Sequence, residues 1–364
     1  MQTYPKPEDG PSGGWGPARK PGRSSLAEAD VSTTHCCQLL ELPDDVVAHE
    51  AAPLPTPQGG AGFGTLLEPV LRDACDGRLS EVSWFRTDWQ RGGALTGSAT
   101  WRGDDGRDHD VVVKLPVPPC ERRWIEALQE AEDVVPHLYA HGEAIGGYDL
   151  AWLVMEKLPH GPLGPAWGGR EFDLLAEAAG RFYKATSPHL PKGDPLVRDW
   201  EKLCAQARTA VRDRGMAEPQ RWNKALKKAS RKLKKWLKVW NDRPLEDWCH
   251  GDLHLANALT RTPAPEGPAV LIDFAHTRVG HWIEDAVYFE HLFWARRDRL
   301  EGRKLCKMIA QERKRQGLKV DPNWPHLAQV KRGLLAMTTP AQLQHEGDPR
   351  HVRAALEMLE ITVG

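Results

Sequence analysis

The chain has 364 residues, and its 49 lysines and arginines nearly balance its 50 aspartates and glutamates. This length allows about two domains, or one two-lobed domain with a sizeable core, and the balanced charge gives no indication of a nucleic-acid partner or a membrane surface. No apolar run approaches the ~20 residues that span a bilayer, no secretory signal is recognisable, and the seven cysteines lack zinc-type spacing. We therefore expect a cytoplasmic protein with reduced thiols and no stable membrane insertion.

The first 64 residues are predicted to form a disordered or loosely docked extension. Residues 1–22 are rich in proline and glycine and poor in aliphatic residues, so they bury too little surface to order themselves. Residues 53–64, with the sequence PLPTPQGGAGFG, are typical of a second linker, and residues 24–50 are compatible with one short helical or docking segment. The folded part is expected to begin at residue 65.

Residues 65–158 have the composition of a small lobe rich in β-strands. The segment Arg91–Ser98 contains three glycines and is predicted to be a turn, and Asp104-Asp105-Gly106 is a hairpin signal. The β-branched run Asp110–Leu115 predicts a buried strand. In chain order, the predicted elements are a helix at Thr65–Cys75, strands at Ser80–Trp89, Ala99–Arg102 and Asp110–Leu115, a helix at Glu121–Asp133 and a strand at Trp152–Met155.

Residues 159–364 are predicted to form a larger helical lobe. The helix at Arg221–Trp240 carries nine basic residues and no acidic one, with apolar residues at helical spacing. One interpretation places its apolar side in the core and its basic side in solvent. The other makes the basic side a docking face for an acidic partner, an anionic substrate or a membrane surface. The predicted helices are Glu171–Thr186, Leu196–Arg214, Arg221–Trp240 and Ile283–Arg297, with more towards the C-terminus.

The segment His250–Asp273 carries the strongest indication of function. It has the sequence H-G-D-L-H-L-A-N-A-L and, after a short turn region with proline and glycine, A-V-L-I-D-F. Asp252 and Asn257 are five residues apart, so one ordered loop can direct both into a cleft, and Asp273 ends a strand-like apolar run. Phosphoryl transfer from a nucleotide needs such groups, because a carboxylate orients the hydroxyl group and hard oxygen atoms bind magnesium.

These two motifs resemble H-R-D-x-x-x-x-N and D-F-G of the protein kinases. Gly251 replaces the arginine and Asp273-Phe274-Ala275 replaces D-F-G, a form similar to the aminoglycoside phosphotransferase and choline kinase-like group of small-molecule kinases. The resemblance implies an α+β, protein kinase-like fold with two lobes. A small N-lobe, 65–158, would bind the nucleotide, and a helical C-lobe, 159–364, would carry the catalytic loop and the acceptor site.

The resemblance also implies a reaction and a set of catalytic residues. The γ-phosphoryl group of ATP, with Mg²⁺ as cofactor, would pass to a hydroxyl group of a small molecule that is a sugar, an amino alcohol or aminoglycoside-like. Asp252 is expected to be catalytic, and Asn257 and Asp273 are expected to bind the metal. Supporting roles in the same region are expected for His250, His254 and Asp285.

The nucleotide site is expected in the small lobe. Lys114 would contact the phosphates from the third strand, and Glu121 is the first choice for its acidic partner, with Glu126 and Glu130 as alternatives. The glycine-bearing turn does not match G-x-G-x-x-G, but its backbone N–H groups and hydroxyls can approach an anion. The other residues expected to bind the nucleotide are Gly92, Gly93, Gly97 and Ser98 in this turn, and Met155, Glu156 and Leu158 at the hinge.

The acceptor is less well determined by the sequence, because two local features oppose each other. The aromatic and acidic side chains after the second motif would favour a cationic or sugar-like acceptor through cation–π and carboxylate contacts, whereas the basic helix 221–240 disfavours a polycation. Two rival functions are a protein kinase and a kinase-like protein that binds nucleotide or a partner without turnover. The oligomeric state stays open. The acceptor-side residues are Trp282, Glu284, Tyr288, Glu290 and Trp294.

Overall fold

A five-stranded antiparallel sheet forms the first lobe, in the strand order β1-β2-β3-β5-β4. The strands are β1 Leu79–Arg86, β2 Leu95–Arg102, β3 Asp108–Leu115, β4 Leu138–Gly142 and β5 Trp152–Glu156. The computed structural model describes residues 62–86, 94–164, 169–189, 193–342 and 349–364. The expected extension at 1–64 therefore lies almost wholly outside the described residues.

The strand β2 begins earlier than predicted. Its buried residues Leu95 and Ala99 alternate with the partly exposed Thr96 and Ser98, which is the period of a half-buried strand. The predicted turn Arg91–Ser98 is therefore wrong from Leu95 onwards, because this alternation continues through the residues assigned to the turn.

The strand β4 has no counterpart among the predicted strands. Its sequence, Leu-Tyr-Ala-His-Gly, lacks a run of β-branched residues and none of the five is fully buried. Pairing with β5 decides its conformation, with Ala140 opposite Val154 and His141 opposite Leu153. Strand formation here depends on a neighbour that is distant in sequence rather than on local propensity.

Two helices pack on this sheet, α1 Phe63–Ala74 and α2 Pro119–Ala127. The helix α2 is shorter than the predicted Glu121–Asp133, because the side chain of Gln129 stabilises a turn after it. The Gln129 amide donates to the carbonyl oxygens of Ile125 and Pro136, at 2.9 and 3.0 Å, and accepts from the N–H of Leu138 at 2.8 Å. The helix therefore ends at Ala127, and Glu121 lies in its first turn.

The second lobe is helical, as predicted, with helices α3 Glu171–Thr186, α4 Trp200–Asp213, α5 Pro219–Asn241, α6 Ile283–His291, α7 Leu305–Arg315, α8 Trp324–Gln342 and α9 Pro349–Val363. The helix α4 starts at Trp200 rather than Leu196, because the Asp199 side chain caps it by accepting from the N–H of Lys202 at 2.8 Å. The predicted helix Ile283–Arg297 is two elements, since α6 is followed by a separate 3-10 segment, Trp294–Leu300.

Four short strands in the second lobe hold the segment His250–Asp273. They are β6 Asp247–Cys249, β7 Ala258–Thr260, β8 Ala269–Leu271 and β9 Arg278–Gly280. The strand β6 pairs with β9 and β7 pairs with β8, both in antiparallel register. Each of the two motifs therefore has a strand of one ladder before it and a strand of the other ladder after it.

The helix α5 is amphipathic, as the sequence predicts. Trp222, Leu226 and Trp236 are buried in the core, whereas Lys227 and Lys234 on the other side are exposed. The described helices include none that is both long and apolar enough to cross a membrane.

Truncation of a buried residue of α5 tests this assignment. Leu226 is fully buried, so Leu226→Ala should lower the free energy of unfolding by about 2–5 kcal/mol through lost apolar contact and a residual cavity. Lys227→Ala, on the exposed side of the same turn, should change it by no more than about 0.5 kcal/mol. Denaturant unfolding followed by tryptophan fluorescence measures both, and equal effects would contradict the assignment of the two sides.

Candidate active site

The buried carboxylate of Asp285 holds the backbone of the catalytic loop. Its two oxygen atoms accept hydrogen bonds from the N–H groups of His250 and Gly251, at 2.8 and 2.9 Å, and from the hydroxyl of Tyr183 at 3.0 Å. Burial raises the pKa of Asp285, while Arg278 and the donated bonds favour the ionised form. Asp285 lies at the start of α6 and braces the loop, as the sequence predicts.

Gly251 is required by the close packing of the loop. Its φ is +87°, in the left-handed region, and a Cβ atom there would overlap the carbonyl oxygen of His276. His250 packs beneath the loop with its ring nitrogen Nε2 3.1 Å from the carbonyl oxygen of Ile272. Burial lowers the pKa of His250 to about 4, so the neutral ring supports the loop and carries no charge into the site.

The carboxylate of Asp252 is oriented by three side chains. Tyr288 donates its hydroxyl to Oδ1 at 2.7 Å, Asn257 donates Nδ2 to Oδ2 at 3.1 Å, and His254 Nε2 lies 3.3 Å from Oδ2. The hydrogen bond from His254 is the largest cause that holds the pKa of Asp252 well below its ordinary range, and the bond from Tyr288 adds to it. The sequence suggested that Tyr288 contacts the acceptor. Its hydrogen bond to Asp252 could not be predicted, because it depends on how α6 packs against the loop.

Lys114 lies between two carboxylates, one from each lobe. Its Nζ is 2.5 Å from Oε1 of Glu121 and 3.1 Å from Oδ1 of Asp273. Burial opposes the charge of Lys114, but Glu121 and then Asp273 raise its pKa above the ordinary value. The structure selects Glu121 among the three candidates, since Glu126 binds Arg122 instead and Glu130 is exposed.

Asn257 and Asp273 are brought together by the pairing of β7 and β8. The N–H of Ile272, beside Asp273, donates to the carbonyl oxygen of Asn257 at 3.0 Å. Asn257 Nδ2 binds Asp252, so the amide oxygen of Asn257 remains available as a hard ligand, as does the carboxylate of Asp273. Within the described part of the chain, no group of three or more His, Cys, Asp or Glu side chains could hold a metal ion. This pair fits magnesium if nucleotide phosphates complete the coordination.

Side chains on the Lys114 face of the sheet follow from the strand register. Lys114 is opposite Thr96 and Leu153, and Val112 is opposite Ser98 and Met155, so these residues share one face. Met155 is buried and Ser98 is partly exposed. The sheet therefore presents Ser98 and Met155 on the same side as the lysine.

The structure describes some, but not all, of the remaining residues that were predicted to bind the nucleotide. Gly97 lies within β2, where an added Cβ would stand 3.0 Å from the Trp84 ring, and Gly92 and Gly93 lie outside the described residues. The carboxylate of Glu156 binds Arg261 at 2.8 Å, and the backbone N–H of Glu156 donates to the carbonyl oxygen of His137. Within the described residues, the backbone groups of Leu158 form no hydrogen bond with another backbone group.

A β-rich lobe with a Lys–Glu pair, joined to a helical lobe with a braced H-G-D loop, defines a kinase-like phosphotransferase of α+β fold. Residues 91–316 match the model of the phosphotransferase enzyme family, and the chain belongs to this family. The matched range contains the site from Lys114 to Tyr288. No curated protein matches the chain in sequence.

Solved structures show the same architecture. A candidate aminoglycoside phosphotransferase from Ralstonia eutropha JMP134 aligns over 82% of this chain and 96% of its own, with 16% identity and a TM-score of 0.53. An aminoglycoside phosphotransferase from Alicyclobacillus acidocaldarius covers 86% and 93%, with 16% identity and a TM-score of 0.50. A microcompartment-associated aminopropanol kinase covers 81% and 95%, with 14% identity and a TM-score of 0.50. At these identities the likeness concerns the fold.

Replacement of Gly251 tests the packing of the catalytic loop. Gly251→Ala should lower the melting temperature and abolish activity, because the Cβ displaces either the His276 carbonyl group or the loop itself. Gly77→Ala is the matched control, since Gly77 also has a positive φ, +69°, but an added Cβ meets no atom within 4 Å. The control should lose only the free energy of folding that the left-handed backbone conformation costs a residue with a Cβ atom, about 1–2 kcal/mol. Equal losses in both variants would show that the overlap has no effect.

Proposed function

We propose that the protein transfers the γ-phosphoryl group of ATP to a hydroxyl group of a small molecule, with Mg²⁺ as cofactor. The observation that carries this proposal is the meeting, in one cleft, of the Lys114–Glu121 pair with Asp273, Asn257 and the oriented carboxylate of Asp252. These groups come from both lobes, and each supplies one requirement of phosphoryl transfer.

Asp252 would orient the acceptor hydroxyl group and receive its proton. Its lowered pKa makes it a weak base, which suits a reaction with a loose transition state in which the proton leaves late and positioning supplies most of the rate. Tyr288, Asn257 and His254 hold the carboxylate in place, so little reorganisation is needed when the acceptor binds.

The nucleotide would lie against the sheet face that carries Lys114. Lys114 would neutralise the phosphates that are not transferred, and Glu121 would fix its position. Asn257 and Asp273 would hold magnesium, which supplies further neutralisation of phosphate charge. Among the remaining contacts, we propose that phosphate meets Gly92, Gly93 and Ser98, and that adenine meets Met155 and the backbone of Glu156 and Leu158. Gly97 is left out, because it lies within β2 and packs against the Trp84 ring on the other face of the sheet.

The two rival functions fit the chain less well. A protein kinase is disfavoured because Gly251 stands where protein kinases have arginine, and Asp273-Phe274-Ala275 stands in place of D-F-G. A kinase-like protein without turnover is disfavoured because the phosphate lysine, the catalytic aspartate and both candidate metal ligands are all retained and all converge.

Turnover with a panel of hydroxylated metabolites tests the proposed function. The wild-type protein should consume ATP in a magnesium-dependent manner with at least one acceptor, and Asp252→Asn should lower kcat by about 10²–10⁴-fold, because the hydroxyl group loses its oriented proton acceptor. Asp104→Asn, in an exposed hairpin turn, is the matched control and should retain activity.

A binding measurement separates catalysis from nucleotide binding. ATP with magnesium should raise the melting temperature of the wild-type protein and of Asp252→Asn, but not that of Asp273→Ala, which removes a metal ligand and a partner of Lys114. Binding without turnover of any acceptor, together with no effect of Asp252→Asn, would make the protein a nucleotide binder and reject the enzyme.

The dependence of activity on pH should report the hydrogen bond between His254 and Asp252. The reaction needs ionised Asp252, and its lowered pKa keeps it ionised far into the acidic range. His254→Ala removes the largest cause of that shift, so the pKa of Asp252 should rise and kcat/KM should begin to fall at a higher pH than in the wild type. His326→Ala, at an exposed site, should leave the profile unchanged. An unchanged profile in His254→Ala would exclude this coupling.

A further inference from the structure

A group of four cations lies beside the catalytic aspartate, on the side of Tyr288. We call Arg198, Arg243, Arg278 and Lys331 the cationic cluster; it surrounds the buried carboxylate of Glu284. Glu284 and Tyr288 are four residues apart on α6 and therefore lie on one face of this helix, about 6 Å apart along its axis. The Tyr288 hydroxyl binds Asp252 and lies within electrostatic range of Arg198, so the cluster lies on the Tyr288 side of the proposed catalytic carboxylate.

The charge of Glu284 is already neutralised by two members of the cluster. Its Oε1 accepts from Nε and Nη2 of Arg243, at 3.0 and 2.9 Å, and its Oε2 lies 3.6 Å from Nη2 of Arg278. Burial opposes ionisation of Glu284, but Lys331, Arg243 and Arg278 lower its pKa below the ordinary value. Arg278 also interacts with the buried carboxylate of Asp285. Two carboxylates therefore face four cations, and positive charge remains in excess.

Lys331 and Arg198 hold this excess charge. Neither has a carboxylate within salt-bridge distance among the residues that the structure describes. The side chain of Lys331 is only 7% exposed, and its Nζ lies 5.3 Å from the centre of the Trp200 ring and 4.7 Å from that of Trp240. The guanidinium of Arg198 is 5.8 Å from the same Trp200 ring. Trp200 thus contacts both cations, and Arg198 is exposed and accessible to a ligand.

A nearly buried ammonium group without an anion is unfavourable in a protein interior. Burial lowers the pKa of Lys331 to about 7. The carboxylate of Glu284 opposes this shift, and the arginines of the cluster add to it. An anion beside Lys331 and Arg198 would reverse this penalty. The geometry therefore has the features of a site whose charge is completed by a ligand.

The side chains that favoured a cationic or sugar-like acceptor in the sequence are engaged within the protein. Glu284 is bound by Arg243, and the carboxylate of Glu290 is bound by Nε and Nη2 of Arg332, at 2.6 and 2.7 Å. Trp282 and Trp294 are buried in the core. The carboxylates that would have attracted a cation are engaged within the protein, and the rings that would have covered it face the interior.

We propose that the hydroxyl acceptor carries an anionic group, a carboxylate or a phosphate, which binds to Arg198 and Lys331 while its hydroxyl group meets Asp252. This inference rests on the proposed phosphoryl transfer and adds the class of acceptor. Arg278 links this site to the loop that carries Asp252, because its guanidinium lies beside Gly251 and within electrostatic range of Arg198.

Two matched series of acceptors test the proposal. The first contains glycerate, glycerol 3-phosphate, glycerol and 3-amino-1,2-propanediol. The second contains glucuronate, glucose 6-phosphate, glucose and 6-amino-6-deoxyglucose. Within each series the scaffold is kept and one group is anionic, neutral or cationic. At least one anionic member should be phosphorylated with kcat/KM at least tenfold above its neutral and cationic counterparts. The carboxylate and phosphate members identify which anion is bound.

Substitutions of Arg198 test whether the cationic cluster causes the preference for anionic acceptors. Arg198 is exposed, so Arg198→Ala and Arg198→Glu should both fold. Arg198→Ala should raise KM for the anionic acceptor at least tenfold, with kcat and the KM for ATP nearly unchanged, and Arg198→Glu should reduce or reverse the ratio of anionic to cationic turnover. Arg208→Ala, at an exposed position of α4, is the matched control and should behave as the wild type.

The outcomes separate this inference from the proposed function. If neutral or cationic acceptors are phosphorylated as well as the anionic ones, or if Arg198→Ala leaves KM unchanged, the anionic site is wrong and phosphoryl transfer stands. If no acceptor in either series or in the wider panel is phosphorylated, both are wrong.

Discussion

The buried carboxylate of Asp285 is the constraint on which the rest of the site depends. It fixes the N–H groups of His250 and Gly251, so the chain must turn tightly beneath β9 at a position where only glycine fits. That turn places Asp252 where Tyr288, from the same helix as Asp285, reaches its carboxylate. One helix therefore supplies both the carboxylate that braces the loop and the hydroxyl group that orients Asp252.

Lys114 joins the two lobes in a similar way, because one side chain makes two ion pairs. It binds Glu121 within the small lobe and Asp273 in the large lobe. A second connection lies at the hinge, where Arg261 of the helical lobe pairs with Glu156 and Asp133. The cleft is thus held by ion pairs at both ends, and a nucleotide bound there would meet groups whose positions are already fixed.

Much of the architecture could be predicted from the sequence, because it depends on short-range patterns. The β-branched run in β3 and the helical composition of α3 and α5 are local, and the elements agree closely with the prediction. Other elements depend on partners distant in sequence. The strand β4 forms because β5 lies beside it, and α2 ends early because Gln129 bonds to the chain that follows. Such contacts leave no periodic signal.

The sequence by itself predicted the candidate reacting groups. Asp252, Asn257 and Asp273 occur at spacings that one loop and one strand end can bring together, and the structure brings them together. Only the tertiary structure shows how the charges around Glu284 and Glu290 are paired. The acids near Tyr288 suggested a cationic ligand, but arginines from distant segments neutralise them and leave Lys331 and Arg198 in excess. The physical reason is that the effect of a charged side chain depends on its neighbours. These neighbours come from the segment before α4, the segment after α5, β9 and α8, which meet only in the folded protein.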